Sequence, residues 1–203
     1  SPAAALTEGI VTIPQELRLA PNLSVAENIC LGNWPTKWGG LAIDRRAMRA
    51  SADAVLERLG VALDGSARVD RLDFAERQLV VIARALRLDP GVLILDAPTA
   101  ALERREVERL TAVLHRLRAK GVAIVYVSHK LHEVVEIADR CTVLRDGRVV
   151  DVVNRDQLDV ADLVRKMTGR SLEGVGAGAT RFGDTLLESA LARVRAGEIA
   201  GLG

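Results

Sequence analysis

Val92-Leu93-Ile94-Leu95-Asp96-Ala97-Pro98-Thr99 is the stretch that decides how this chain is read. An unbroken apolar run closed by a carboxylate suits a strand buried on both faces, as in a parallel sheet covered by helices. Val122 to Val127 repeats the pattern one helix later and is also expected as a buried strand. Gly9 to Ile13 is a shorter β-branched run ended by Pro14. Strands alternating with helices predict an open α/β sheet. Ligands of such sheets bind beyond the carboxyl ends of the strands. Gln15, Asp96 and His129, each just after a strand, are therefore expected on one rim.

The helices between these strands announce themselves by caps and period. Ser24 can cap a short helix to Leu31, with Glu27 three residues on as in a capping box. Asp44 can cap a longer one whose apolar face is Met48, Ala52, Val55, Leu56 and Leu59, ended by Gly60. A third follows Asp73, with Ala75, Leu79, Ile82, Ala83 and Leu86 on one face, and stops at Asp89-Pro90-Gly91. Glu103 to Lys120 places Val107, Leu110, Val113, Leu114 and Leu117 inward. Lys130 to Ala138 and Asp159 to Met167 are also helical in pattern, and Asp146-Gly147 marks a hairpin between them. From Ala20 to Gly40 the chain is punctuated by Pro21, Pro35 and Gly39-Gly40 and reads as looser.

Hydrophobic residues make up 49% of the 203, which supports a real core and excludes wholesale disorder. Charged residues are 27%, but they cancel to a formal +1, and aromatics are 2%. Neither the basic excess nor the stacking platforms of a nucleic-acid binder are present, so no nucleic-acid partner is expected. Cys30 and Cys141 lie far apart without metal spacing, which reads as two buried thiols in a reducing compartment. No run of about 20 apolar residues spans a membrane, and the beginning of the sequence lacks the order of a signal peptide. A cytoplasmic setting is expected, with any membrane role supplied by a partner.

The motifs, taken in order, resemble those of the ABC transporter ATPases. Ile10 to Leu17 is similar to the Q-loop, and Leu72-Asp73-Phe74-Ala75-Glu76-Arg77-Gln78 to the signature motif with its following helix. Leu93 to Thr99, continued by Ala100-Ala101-Leu102, resembles the Walker B strand and D-loop, and Val125 to Lys130 the switch segment. Leu23-Ser24-Val25-Ala26-Glu27-Asn28-Ile29-Cys30-Leu31-Gly32 is similar to the monosaccharide (ribose, galactose, xylose) importer branch in particular. The resemblance covers about residues 7 to 150. It implies a P-loop NTPase-like fold: a parallel sheet with a helical subdomain at about 21–90, incomplete on its N-terminal side. It implies ATP and Mg²⁺ as cofactors, with Asp96 and Gln15 at the metal, His129 and Gln15 in catalysis, and Asp73, Phe74, Ala75, Glu76 and Gln78 as the contact to nucleotide held by an opposing domain. The implied partners are transmembrane permease subunits, a second ABC domain of the same polypeptide or a dimer, and indirectly a periplasmic sugar-binding protein. The implied location is the cytoplasmic face of the cell membrane. ATP hydrolysis driving sugar uptake is the implied activity.

Several positions depart from the family pattern. No G-x-x-x-x-G-K-[ST] element occurs, and without its nest of N–H groups and its Lys the isolated chain is expected neither to bind Mg-ATP tightly nor to hydrolyse it. Ala97 stands where the family carries a water-polarising Glu, Asp73 stands where it carries Ser, and Glu103 replaces the D-loop Asp. A non-hydrolytic, degenerate half is therefore an alternative reading, and an ABC ATPase acting on ribosomes or DNA a more distant one. The expected layout is an ABC ATP-binding domain over 1–170, a Gly-rich linker over 171–185, and the start of a second ABC domain over 186–203. On that layout the chain is a fragment.

Overall fold

A computed structural model describes residues 2–168, in two units that divide between Val127 and Ser128. The expected linker at 171–185 and second-domain start at 186–203 lie outside the described residues.

The first unit is built on three parallel strands, β1 (Ile10–Ile13), β4 (Val92–Asp96) and β5 (Ala123–Val127), in the order β1-β4-β5. The expected α/β parallel sheet is thus present, with the acid-closed strand at its centre. Leu93 and Leu95 are fully buried, as a central strand requires. Burial on the other face is less complete than the apolar runs predict. The row Thr12–Ile94–Val125 crosses the sheet with an exposed, a half-buried and a half-buried residue. β5, expected as a buried strand, is half-buried throughout and exposed at Val127. Among the described residues it is an edge strand, with a neighbour on one side alone.

Helices α2 (Val25–Ile29), α3 (Arg45–Leu59) and α4 (Phe74–Leu86) pack on one another, and α4 also packs on β1. The caps form as the residues dictate. Ser24 Oγ accepts from the Glu27 amide, and Glu27 Oε2 accepts from the Ser24 amide at 2.8 Å. Asp44 accepts from the Ala47 amide at 3.0 Å. At the other end of α3, Gly60 turns left-handed (φ 66°), and the Gly60 and Val61 amides donate back to Glu57 and Leu56. That pairing closes the carbonyls a helix end would otherwise leave open. All five residues expected on the apolar face of α3 are buried.

α4 differs from its expected stripe. Ala75 and Leu79 are half-buried, whereas Gln78, Val80, Val81 and Ala85 are buried with Ile82, Ala83 and Leu86. The helix is covered on several sides, so a one-face stripe understates its burial. α5 (Arg104–Ala119) buries Leu110, Val113, Leu114 and Leu117 as expected, with Thr111 added and Val107 only half-buried. Elements without a counterpart in the sequence reading include α1 (Pro2–Thr7) and a small hairpin of β2 (Thr36–Lys37) and β3 (Ala42–Ile43), which begins inside the stretch read as loose and ends just beyond it. The hairpin turns through Trp38, Gly39 and Gly40, all at positive φ, and leaves Trp38 and Leu41 exposed.

In the second unit, α6 (Leu131–Ile137) is followed by the hairpin of β6 (Arg140–Arg145) and β7 (Arg148–Asn154), then α7 (Val160–Thr168). Asp146 and Gly147 both take positive φ, the two-residue turn their identity predicts. Val143, Val153 and Leu163 form its core, with Leu131, Val135, Cys141, Val150 and Leu158 against them. Lys166 of α7 pairs with Asp151 of β7 at 2.8 Å and with Asp162 one turn back. The Lys166 hydrogen bond is the main reason both carboxyls sit below their usual pKa. A carboxyl depressed in the folded state stabilises it above the unfolded value, near 3.9, and loses that contribution as pH falls through the lower folded value. The packing of α7 is therefore expected to hold down to about pH 4 and to loosen below it. A methyl NMR titration of Leu163 checks this, and Lys166→Met should remove that acid-sensitive step.

Candidate functional site

The centre of the site is the carboxyl end of β4. Leu95 lies beside Ile13 on one flank and Tyr126 on the other, and Asp96 lies opposite Val127. The chain leaves β1 through Pro14 into Gln15. Two neighbouring strand tips therefore carry Asp96 and Gln15, and both residues are exposed. None of the hydrogen bonds or ion pairs among the described residues engages either side chain. Oxygens at the ends of adjacent strands suit a hard cation that also keeps phosphate and water oxygens. Among the described residues no group of three or more His, Cys, Asp or Glu could hold a metal by itself.

The turn after Asp96 is fixed rather than loose. Ala97 has φ 44° and donates its amide to the Val127 carbonyl at 2.9 Å, which extends the ladder past Asp96. Pro98 and Thr99 go into the interior, and Thr99 Oγ1 lies 3.4 Å from the Tyr126 hydroxyl. A left-handed non-glycine residue carries a backbone cost of about 1–3 kcal/mol and persists where its surroundings enforce it. Here the anchors are the Val127 bond behind it and the buried Pro98-Thr99 ahead of it. The Ala97 methyl offers no group that could polarise water.

The start of α4 forms the second part. Asp73 Oδ1 accepts the Glu76 amide at 2.7 Å, and Glu76 Oε2 accepts the Asp73 amide at 3.0 Å. These are two of the donors a helix N-terminus offers to an anion, and here the chain's own carboxylates occupy them. Asp73 and Phe74 are exposed, Ala75 and Glu76 half-buried, and Gln78 is buried with 3% exposure, so its side chain faces the interior. His129 belongs to the second unit, where it is exposed. The next amide, of Lys130, donates to Ser128 Oγ at 3.0 Å ahead of α6.

A polar network behind Gln15 escapes the sequence reading. Asn28 of α2 is fully buried. Its Nδ2 donates to the Ala20 and Ser24 carbonyls at 3.0 Å each, and its Oδ1 accepts from the Ala20 amide at 2.8 Å. Arg84 of α4 donates to the Asn28 carbonyl at 2.8 Å, the Arg18 carbonyl at 2.9 Å and Asn28 Oδ1 at 3.2 Å. One signal was available: an amide on an otherwise apolar face of a short helix has to find partners. Cys30 is buried and Cys141 half-buried, and burial raises both thiol pKa values, which disfavours the thiolate. No helix among the described residues is long and apolar enough to cross a membrane.

Comparison with known proteins bears on this geometry directly. Residues 2–100 match the family model described as ABC transporter. A ribose import ATP-binding protein of Rubrobacter xylanophilus is 48% identical over an alignment covering all of this chain and 42% of that relative. One from Corynebacterium glutamicum is 44% identical over 96% of this chain and 39% of its own length. The chain thus spans between a third and about two-fifths of the length of the curated relatives it matches. Among solved structures, CbiO1 of Clostridium perfringens, part of the ABC transporter complex CbiONQ, superposes with a TM-score of 0.65 at 26% identity, covering 82% of this chain and 66% of that one. The dimeric ATP-binding cassette MJ0796 bound to ADP and Pi gives 0.60 at 25% identity, covering 73% and 63%. With the parallel sheet, the acid-closed central strand and similarity along the whole chain in agreement, the chain belongs to the ABC transporter family of ATP-binding proteins.

Proposed function

We propose that this chain is part of the energy-coupling, ATP-binding subunit of an ABC-type sugar importer, working at the cytoplasmic face of the membrane against permease subunits. ATP would lie between this domain and a second ABC domain, in the same polypeptide or a dimer, and a periplasmic binding protein would deliver the sugar. The proposed layout is one ATP-binding domain over 1–170, with its helical part at about 21–90. The observation that carries the reading is the pair of free side chains, Asp96 and Gln15, on adjacent strand tips of a fold whose relatives import ribose. On this reading Asp96 and Gln15 hold Mg²⁺ through its water shell and the phosphates, and His129 meets the γ-phosphate. Asp73, Phe74, Ala75 and Glu76 contribute the contact to nucleotide across the dimer, with the buried Gln78 behind them.

The test is metal-dependent binding in the full-length protein. Asp96→Asn is expected to reduce the gain in ATP affinity on adding Mg²⁺ by about tenfold, or ~1.4 kcal/mol, while metal-free ATP binding stays the same. Calorimetry showing the same Mg²⁺ gain in the variant would remove Asp96 from the metal site. A second reading has its own support: Ala97 lacks a carboxylate and Asp73 with Glu76 caps two amides of the α4 N-terminus. This half would then hold nucleotide without turning it over, with hydrolysis left to the partner half.

A further inference from the structure

The geometry points to Arg84 as a positioning residue that ties the signature helix α4 to the segment carrying Gln15. The inference rests on the reading of Gln15 given above, because it concerns what holds that residue in register with α4.

Arg84 lies near the C-terminal end of α4 and is half-buried. Its Nε and both terminal nitrogens each have an acceptor: Asn28 O, Arg18 O and Asn28 Oδ1. A guanidinium is a planar, always-charged fork, so acceptors placed around it are held in fixed mutual geometry. Two of these acceptors sit on Asn28 of α2, and the third is the main chain three residues after Gln15. Asn28 closes the loop of contacts by gripping both the amide and the carbonyl of Ala20. The 18–20 segment is thus held from two sides, by Arg84 directly and by Asn28, which Arg84 itself orients. Just past the end of α4, Arg87 donates to the carbonyl of Asn33, in the loop after α2, at 2.8 Å and to Ser51 Oγ of α3 at 3.2 Å. Arg87 makes no described contact with 15–20, which makes it the natural comparison.

Among the described residues Gln15 and Pro14 have no comparable anchor, and both are exposed past the end of β1. The rigid path from α4 therefore ends three residues short of Gln15 and leaves it a short free lever. A shift of α4 would be passed to Gln15, and a pull on Gln15 would be passed back to the helix that opens at Asp73. A lysine cannot reproduce this, because its single ammonium cannot reach three acceptors set around a plane.

Hydrogen exchange on the full-length protein tests the link, with the Ala20 amide as reporter because its acceptor is Asn28 Oδ1. Arg84→Ala and Arg84→Lys are compared with the parent and with Arg87→Ala, alongside the exchange of the β4 amides as a measure of general stability. The expected result is Ala20 exchange at least about tenfold faster in both Arg84 variants, since each loses charge-assisted bonds that fix Asn28. β4 and the Arg87 variant should show no such change at Ala20. Unchanged Ala20 exchange in Arg84→Ala, or full rescue by Arg84→Lys, would overturn the assignment. If the alanine variant does not fold, the lysine variant decides the matter on the same criterion. Addition of Mg-ATP then separates this inference from the functional reading. Protection of 14–20 by Mg-ATP in the parent, lost in the Arg84 variants at unchanged ATP affinity, is the outcome that supports the link as a coupling path. Protection retained in the variants overturns it. A parent that shows no response to Mg-ATP counts against the role of Gln15, while Ala20 exchange still decides the clamp.

Discussion

Introduced together into the full-length protein, Asp73→Ser and Ala97→Glu are expected to raise steady-state ATP turnover by about 100-fold or more, the scale on which a positioned general base acts. The backbone allows both changes. Ala97 already holds φ 44°, and its amide bond to Val127 is a main-chain contact, so a glutamate inherits the same strain and the same anchor. Its carboxylate would project from the turn after Asp96, beside the proposed metal position. At residue 73 a serine can still accept the Glu76 amide as an N-cap, so α4 should lose only a few tenths of a kcal/mol. What changes is charge: a carboxylate at the helix start repels a phosphate, whereas a hydroxyl can donate to one. Each single variant should give less than the pair, because one supplies the base and the other the anion contact. Asp96→Asn placed on top of the pair should return turnover to the parent level. If the double variant hydrolyses ATP no faster than the parent, these positions do not limit catalysis and the degenerate-half reading loses its basis.

The local signals of the sequence carried most of the fold. Ser24, Asp44 and Asp73 each start a helix, Gly60 ends one, and Asp146-Gly147 makes its turn, because each of these depends on a few adjacent residues. The Val92–Asp96 run was equally plain, since a central strand of a parallel sheet has nothing polar to show until its tip. The β2–β3 hairpin was not legible: two-residue strands carry no period, and Trp38 at positive φ contradicts its own propensity. The half-burial of β5 depends on which strands lie beside it, and an apolar run says nothing of its neighbours. The site divides the same way. Asp96 and Gln15 were legible as strand-tip residues, and the pairing of β1 with β4 makes them neighbours. The Asn28–Arg84 network spans 56 residues of sequence, and nothing near either residue names the other. Asp73 illustrates a residue with two legible meanings. Its capping box with Glu76 was written in the spacing, and so was its place in the signature segment. The observed bonds show the cap.

Leu93→Ala is expected to destabilise the first unit by about 2–5 kcal/mol, against a typical total of about 5–15 for a domain. Leu93 is fully buried in the central strand, between Val11 of β1 and Ile124 of β5. Truncation removes an isopropyl group from a site with strands on both sides, which cannot move inward without breaking their hydrogen bonds, so the cavity stays largely open. Leu41→Ser supplies the contrast: that side chain is 87% exposed at the β2–β3 hairpin, and its loss should change stability by less than about 0.5 kcal/mol. Urea unfolding followed by circular dichroism measures both, with the shift read from the midpoint at constant slope. A loss below about 1 kcal/mol for Leu93→Ala would mean that β4 is not the packed centre of this sheet. The consequence reaches the site, because Asp96 has no side-chain partner among the described residues and takes its position from the strand that ends in it. In the Leu93 variant, Mg²⁺-dependent ATP binding by the full-length protein should therefore weaken under conditions where the fold is still intact, and Leu41→Ser should leave it unchanged.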